Sequence, residues 1–380
     1  MGERGNSFNR WLDRYAGIPL AACSSVLRLG RGAAPIAEPQ RVGFICLGAI
    51  GDLLLFSALI TALRERLPQA RFVLLTSRAN AATVRLIPGI DSSAAFAVTD
   101  VSSMAAWLRD QRLDVLFDST QWARLGAVLC NFSNARTTVG FDTCGQHRAF
   151  GYSCKVEHRN DRHEVENFLE LGRALYPGLL GAPRLLMPQS PPDDLPAELC
   201  GRLEPTGEVG DALPRRIFLH MWPSGAHAWL KEWPADNWDA LARMLSAEGF
   251  EVYLTGAAAD AQRNNAFLQA HPQCPAVSLA GRTSLQGLAW LFSRASAVVS
   301  VNTGTMHLAS IAGAPTVGLH GPTNPLRWGP VGRHVRALLP HKGPYAYLNL
   351  GFEYPRPFTP CLDSLPVEDV ADALHSLGLF

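Results

Sequence analysis

Residues 298–330, VVSVNTGTMHLASIAGAPTVGLHGPTNPLRWGP, constrain the fold of this 380-residue chain more than any other stretch. The short apolar run at 298–301 reads as a buried strand. It ends at Asn302-Thr303-Gly304, and an apolar helix pattern follows from Thr305 to Ile311, where Gly313 stops it. A second strand at 316–319 runs into Gly321-Pro322-Thr323. Strand, glycine turn, helix, strand is half of a nucleotide-binding α/β unit. Such a turn presents backbone N–H groups at a helix N-terminus, where a phosphate binds well. Asn302 and Thr303 are also good N-cap types, and a cap needs no ligand. Spacing alone leaves phosphate binding and a plain capped crossover both open.

The rest of the chain fits the same class. Residues 42–47 form a buried-strand pattern, Gly48-Ala49-Ile50-Gly51-Asp52 a turn, and residues 53–67 a helix that Pro68 ends. Further strands are expected at 72–76, 96–98, 115–118 and 138–141, mostly separated by helical stretches, with a charged amphipathic helix at 162–176. This alternation describes a parallel α/β sheet. A second set opens with a strand at 217–221. Helices at 236–248, 259–270 and 285–293 then alternate with strands at 252–255 and 276–279. An amphipathic helix at 367–377 closes it. The expected organisation is an amphipathic N-terminal extension at 1–40 and a first Rossmann-like domain at 41–190. A Pro- and Gly-rich linker at 191–214, a second Rossmann-like domain at 215–345 and a tail with its closing helix at 346–380 complete it.

Composition narrows the function. A formal charge of +1 gives no footprint for nucleic acid, and 47% hydrophobic against 18% charged residues lets each domain bury a substantial core. Eight cysteines include no CxxC pair and no Cys/His cluster of zinc-ligand spacing, so no metal site is expected. The pattern favours reduced thiols in a cytoplasm. No apolar run is long enough to span a membrane. The extension mixes Trp11, Leu12, Tyr15, Ile18, Leu20, Val26, Leu27 and Leu29 with arginines. It suits either helices docked on the body or helices lying on a membrane surface.

Three turns carry residues capable of chemistry. Gly48 and Gly51 let a ligand approach the backbone at the carboxyl end of the first strand, although GxxGD is neither a Walker loop nor a full dinucleotide fingerprint. Asp52 falls in the first helical turn. There it is either a dipole-stabilising acid worth ~0.3–1 kcal/mol or a general base. Lys231, after the loop that opens the second domain, suits a diphosphate as a mobile point charge. His307, in the first turn of its helix, suits either a core role or a hydrogen bond to a phosphate or sugar hydroxyl.

Four blocks in this order resemble glycosyltransferase family nine, the ADP-heptose:lipopolysaccharide heptosyltransferases. They are RVGFICLGAIGDLLLFSALITALRERLP (41–68), KEWPADNWDALARML (231–245), VSVNTGTMHLASIAGAPTVGLHGPTNP (299–325) and CLDSLPVEDVADAL (361–374), within a resemblance covering residues 41–375. The resemblance implies an α/β chain of GT-B fold, two Rossmann-like domains facing each other across a cleft. It implies inverting transfer from a nucleotide-diphosphate sugar, ADP-heptose in the leading reading, with no cofactor and no obligatory metal. The acceptor it implies is a lipid-linked or growing saccharide, reached from the cytoplasm with possible peripheral contact at the inner membrane. Asp52 matches the family's catalytic base and Lys231 its phosphate-binding lysine. Asn302, Thr303, Gly304, Thr305 and His307 match the donor-binding turn, with Thr323 in the same nucleotide pocket and Asp260 as a ribose-hydroxyl partner. Asn302 stands where the family often has Asp, and Ala58 where it often has Pro. The competing readings are a nicotinamide-dependent oxidoreductase, for which the glycine fingerprint is incomplete, and a non-catalytic GT-B protein that binds a sugar nucleotide or serves in assembly.

Overall fold

The computed structural model describes residues 7–29, 38–193, 195, 215–225 and 227–379. The expected linker therefore falls almost wholly outside the described residues, as do positions 1–6 and 30–37 of the extension. The chain forms two compact units, Met1–Leu186 and Met187–Phe380, so the extension belongs to the first and the tail to the second. Among the described residues no helix is long and apolar enough to cross a membrane, and no disulfide joins any two cysteines.

In the first unit, β1 (Arg41–Cys46), β2 (Arg71–Ser77), β3 (Ser92–Phe96), β4 (Val115–Asp118), β5 (Thr137–Asp142) and β6 (Cys154–Glu157) form one parallel sheet of order β3-β2-β1-β4-β5-β6. The β1 sequence, RVGFIC, is buried at every position but the first, as an inner strand covered on both faces must be. After β1 the chain enters helix Ile50–Arg66, buried without interruption from Gly51 to Leu63. Such a helix is a core element rather than a half-exposed one. Its Phe56 meets Phe44 of β1, which also touches Phe72 and Phe117, with ring centroids 5.2–5.9 Å apart. Each such side chain contributes ~1.5–3 kcal/mol on burial.

The second unit repeats the plan. Strands β7 (Arg216–His220), β8 (Glu251–Leu254), β9 (Val277–Ser278), β10 (Ala297–Val301), β11 (Thr316–Leu319) and β12 (Val335–Leu338) lie in order β12-β11-β10-β7-β8-β9. In both sheets the unit's first and fourth strands are neighbours. The strand order reverses there, and loops leave the carboxyl ends in opposite directions, which opens the crevice that ligands use in such sheets. Helix Ala235–Ala247 packs through Trp238, whose ring stands at 87° to that of Trp233, 4.8 Å between centroids. The Trp233 indole N–H donates to Leu365 O at 2.8 Å, and so pins the segment that leads into the closing helix Val367–Ser376.

Three strands depart from expectation. β3 lies at 92–96 rather than 96–98, and β6 and β12 were not foreseen. β3 is an edge strand of sequence SSAAF with only half-buried and exposed positions, so it lacks the apolar run that marks an inner strand. β6 (CKVE) and β12 (VRAL) are also edges of four residues with charged side chains, a usual protection for an open edge.

The extension is docked on the first unit. Helices Ser7–Tyr15 and Gly17–Ser24 lead into a 3₁₀ turn at Ser25–Arg28. Asn131, on helix Leu125–Phe132, donates from Nδ2 to Ala21 O at 3.1 Å and to Ser24 Oγ at 2.9 Å. The buried Arg28 guanidinium donates to the carbonyls of Ala135 and Arg136 and to Ser153 Oγ.

Candidate functional site

The sequence-identified residues of the second unit gather at the carboxyl end of its sheet, on loops leaving the adjacent strands β11, β10, β7 and β8. The β10 turn is the centre of the group. Gly304 and Thr305 open helix Gly304–Ile311, with Thr303 as N-cap residue and no side-chain bond to the cap. Of the two N-cap types in the turn, Thr303 thus holds the cap position but makes no cap bond. Asn302 Nδ2 instead donates to Trp328 O at 2.9 Å and fastens the turn to helix Pro325–Trp328. That contact needs a donor. An aspartate in this rotamer would set a carboxylate against a carbonyl, which gives a physical reason for Asn at 302. The Thr303 hydroxyl oxygen is buried and has no hydrogen-bond partner among the described residues. No side chain thus caps the first-turn N–H groups, and a buried hydroxyl stands beside them. Native structures seldom leave such a group unsatisfied without reason.

The neighbouring loops bring the other groups to this end. His307 is buried in the helix. Thr323 is buried in the loop after β11, its Oγ1 3.4 Å from His320 Nδ1. Lys231 ends a 3₁₀ turn at Ala228–Lys231, and a Cβ placed on Gly321 would lie 3.4 Å from Leu230 O, so this turn borders the Gly321–Thr323 loop. Asp260 acts locally. Its Oδ2 accepts from Ala257 N at 2.8 Å and caps the turn that precedes helix Ala261–Ala270. Sequence reasoning missed His220, the last residue of β7. It is buried, its Nδ1 lies 3.0 Å from Thr255 Oγ1, and desolvation pulls its pKa down to about 4. The available signal was a polar residue directly after the apolar run Ile217-Phe218-Leu219 at the end of the strand RIFLH.

Asp52 belongs to the first unit, where Gly48 lies between β1 and its helix and Gly51 and Asp52 stand in the first turn of that helix. The Asp52 side chain is 4% exposed and turns back, so that Oδ2 accepts from Ala49 N at 2.5 Å. This is the acid half of a capping box. Gly48 makes it possible, because a Cβ there would lie 2.3 Å from Asp52 Oδ2 and 2.8 Å from its Cγ.

At the adjacent strand end, sequence reasoning missed a fully buried polar network. Asp118, the last residue of β4, pairs with Arg148 Nη2 at 2.6 Å, both side chains at 0% exposure. The Tyr152 hydroxyl donates to Asp118 Oδ2 at 2.5 Å, and Thr120 donates to Asp118 Oδ1 from its N–H at 2.9 Å and its hydroxyl at 2.6 Å. Burial raises the Tyr152 and Cys130 pKa values well above their usual range, so both stay protonated. Gly126 and Gly140 make the space: a Cβ on either would come within 2.2–2.3 Å of Asp118 Oδ2 or the Tyr152 ring. The network fixes the loops after β4 and β5. Removing one partner of such a pair typically costs ~3–5 kcal/mol, because the other charge stays buried. Among the described residues, no group of three His, Cys, Asp or Glu side chains is placed to hold a metal ion.

Comparison with known proteins bears on the whole arrangement. The model of glycosyltransferase family 9 (heptosyltransferase) matches residues 101–349. The blocks at 231–245 and 299–325 lie inside this range, and those at 41–68 and 361–374 lie outside it. Lipooligosaccharide heptosyltransferase 2 of Haemophilus influenzae is 32% identical over 135 residues, 34% of this chain and 38% of that protein. The chain thus spans well under half the length of that curated relative. Escherichia coli ADP-heptose lps heptosyltransferase II shares the fold, with a TM-score of 0.68 at 21% identity over 89% of this chain and 98% of that one. E. coli heptosyltransferase WaaC, solved with ADP, gives 0.65 at 17% identity, covering 89% and 99%. These structures carry the GT-B architecture that the paired six-stranded parallel sheets reproduce. With a family match over more than half its length, the chain belongs to glycosyltransferase family 9, the heptosyltransferase family.

Proposed function

We propose that this chain is an inverting glycosyltransferase that moves a sugar from a nucleotide diphosphate onto a saccharide of lipopolysaccharide or a related surface glycan. ADP-heptose is the leading donor. The observation that carries this reading is the start of helix Gly304–Ile311, which no side chain caps and where the Thr303 hydroxyl is buried without a partner. Such a group suits the oxygens of a diphosphate. Lys231 supplies a mobile positive charge from the turn after β7. Thr323, His307 and the outer face of Asp260 remain candidates for the nucleoside. Family membership and the relative solved with ADP make adenine nucleotides the first to test.

In the proposed reaction the acceptor hydroxyl oxygen bonds to the anomeric carbon as the bond from that carbon to the diphosphate breaks. The electron pair leaves with the diphosphate, stabilised by Lys231 and the helix N–H groups, and the acceptor proton passes to Asp52. The charge for the leaving group comes from these protein groups, so turnover is expected to persist in a chelator. A lipid-linked acceptor places the enzyme on the cytoplasmic side in peripheral contact with the inner membrane.

A thermal-shift panel of nucleotide sugars on the parent chain and Lys231→Ala tests the donor assignment. A ligand at about 100 times its Kd stabilises by ~2.7 kcal/mol. The reading expects a shift with ADP-sugars that disappears in the variant. A shift with GDP- or UDP-sugars instead replaces the donor, and no shift with any of them favours the assembly alternative.

A further inference from the structure

Helix Ser7–Tyr15 is docked with its apolar face outward. Phe8, Trp11, Leu12 and Tyr15 stand at i, i+3, i+4 and i+7, the spacing of a single helix face. They are 62%, 56%, 44% and 62% exposed. The Trp11 ring lies 6.1 Å from Phe8 and 5.3 Å from Tyr15, so the aromatics make one continuous surface. A helix on a globular body ordinarily turns this face inward. Here the inward residue is polar: Asp13 accepts from Arg124 N at 2.8 Å and from Arg124 Nη1 at 3.0 Å. Leu20, Val26, Leu27 and Leu29 extend the exposed apolar run, at 45–76% exposure. Eight of the fifteen exposed large hydrophobics among the described residues therefore fall within this one short segment, which is the distribution of an interaction surface rather than of scattered exposure.

Charge selects the partner. Asp13 is the only carboxylate of residues 7–29, and Arg124 engages it from the body side. Arg14, exposed, flanks the aromatic stripe. A second copy meeting this face would bring like charges together, with no carboxylate of the segment left to pair them. An anionic lipid surface satisfies both features. Trp and Tyr rings favour the headgroup level, and an in-plane helix with a cationic rim is the usual interfacial form. We propose that the exposed apolar side chains of residues 8–29 form a lipid-binding face, with Phe8, Trp11, Leu12 and Tyr15 in the headgroup–acyl boundary and Arg14 among the lipid phosphates. The proposal deepens the peripheral-contact part of the functional reading and rests on that part alone.

The test is co-sedimentation of the full chain with vesicles of phosphatidylcholine alone or with phosphatidylglycerol. It compares the parent, a Phe8→Ser/Trp11→Ser/Tyr15→Ser triple variant, Arg14→Gln, and Leu180→Ser as an exposed control outside the face. The parent should bind the anionic vesicles, and salt should weaken binding. The triple variant should lose at least tenfold, Arg14→Gln about fivefold, and Leu180→Ser nothing. Melting temperatures should stay level, because none of these side chains is in the core. Turnover on a delipidated soluble acceptor should also be unchanged. Equal binding by parent and triple variant would overturn the assignment of this face while leaving peripheral contact through another. A parent that binds neither vesicle would overturn both. A parent that binds no vesicle and forms a dimer that the triple variant dissolves would assign the face to a second copy instead.

Discussion

Thr303→Val should make the protein more stable and a worse binder. The substitution keeps shape and β-branching, and the residue's extended backbone, φ −148°, suits valine. The Thr303 side chain makes no cap bond, so no capping energy is lost. What disappears is a buried hydroxyl without a partner, and leaving such a group unsatisfied costs ~1–3 kcal/mol. The unliganded variant should therefore gain stability of that order, read as a higher denaturant midpoint at unchanged m-value. If the hydroxyl serves a diphosphate, the variant also loses a hydrogen bond to a charged group, worth ~1.5–3 kcal/mol, or about ten- to a hundredfold in Kd. Isothermal titration with ADP reads this directly. Opposite signs in the two measurements are the signature of a group kept for binding at the expense of stability. A variant that is destabilised and binds ADP like the parent would refute the reasoning, because Thr303 would then be an ordinary structural residue.

Two further outcomes follow from the strand ends. Gly48→Ala should destabilise by ~1–3 kcal/mol through overcrowding, since its methyl would lie 2.3 Å from Asp52 Oδ2, and turnover should fall with it as the carboxylate is displaced. Chemical denaturation together with a transfer assay checks both. His220 has a folded pKa of about 4 against an ordinary 6.5, so between these values the unfolded chain binds the extra proton. Its contribution is therefore fully present above pH 6.5 and is lost as pH falls toward 4, by up to ~3 kcal/mol. His220→Asn should flatten the stability profile across that window, as measured by denaturant midpoints at stepped pH.

The elements legible in the sequence were those whose burial is continuous. β1, the helix after it, β10 and β11 are apolar runs bounded by glycine or proline, and β4 and β11 lie at the expected residues. The misplaced or missed strands are sheet edges of four or five residues, where no position is fully buried and no continuous apolar run marks the strand. The turn after β10 was legible as a turn, but its hydrogen bonds were not. Whether Asn302 caps its own helix or reaches Trp328 depends on a short helix whose end lies 26 residues away. The Asp118–Arg148 pair was hidden for the same reason, its partners lying 30 residues apart with Arg148 in an irregular loop. In the extension the amphipathic pattern was plain. Which face docks was decided by Arg124, 111 residues from Asp13, and the outcome was the polar one.

The most direct test of the central claim is turnover of Asp52→Asn with ADP-heptose and a delipidated lipopolysaccharide acceptor, beside ADP binding by the same protein. Asparagine keeps an oxygen that can accept from Ala49 N, so the capping contact and the fold should survive. The account predicts a kcat lower by ~10²–10⁴-fold with the Kd for ADP unchanged. Turnover equal to the parent's would contradict it and leave Asp52 as a helix-capping residue alone.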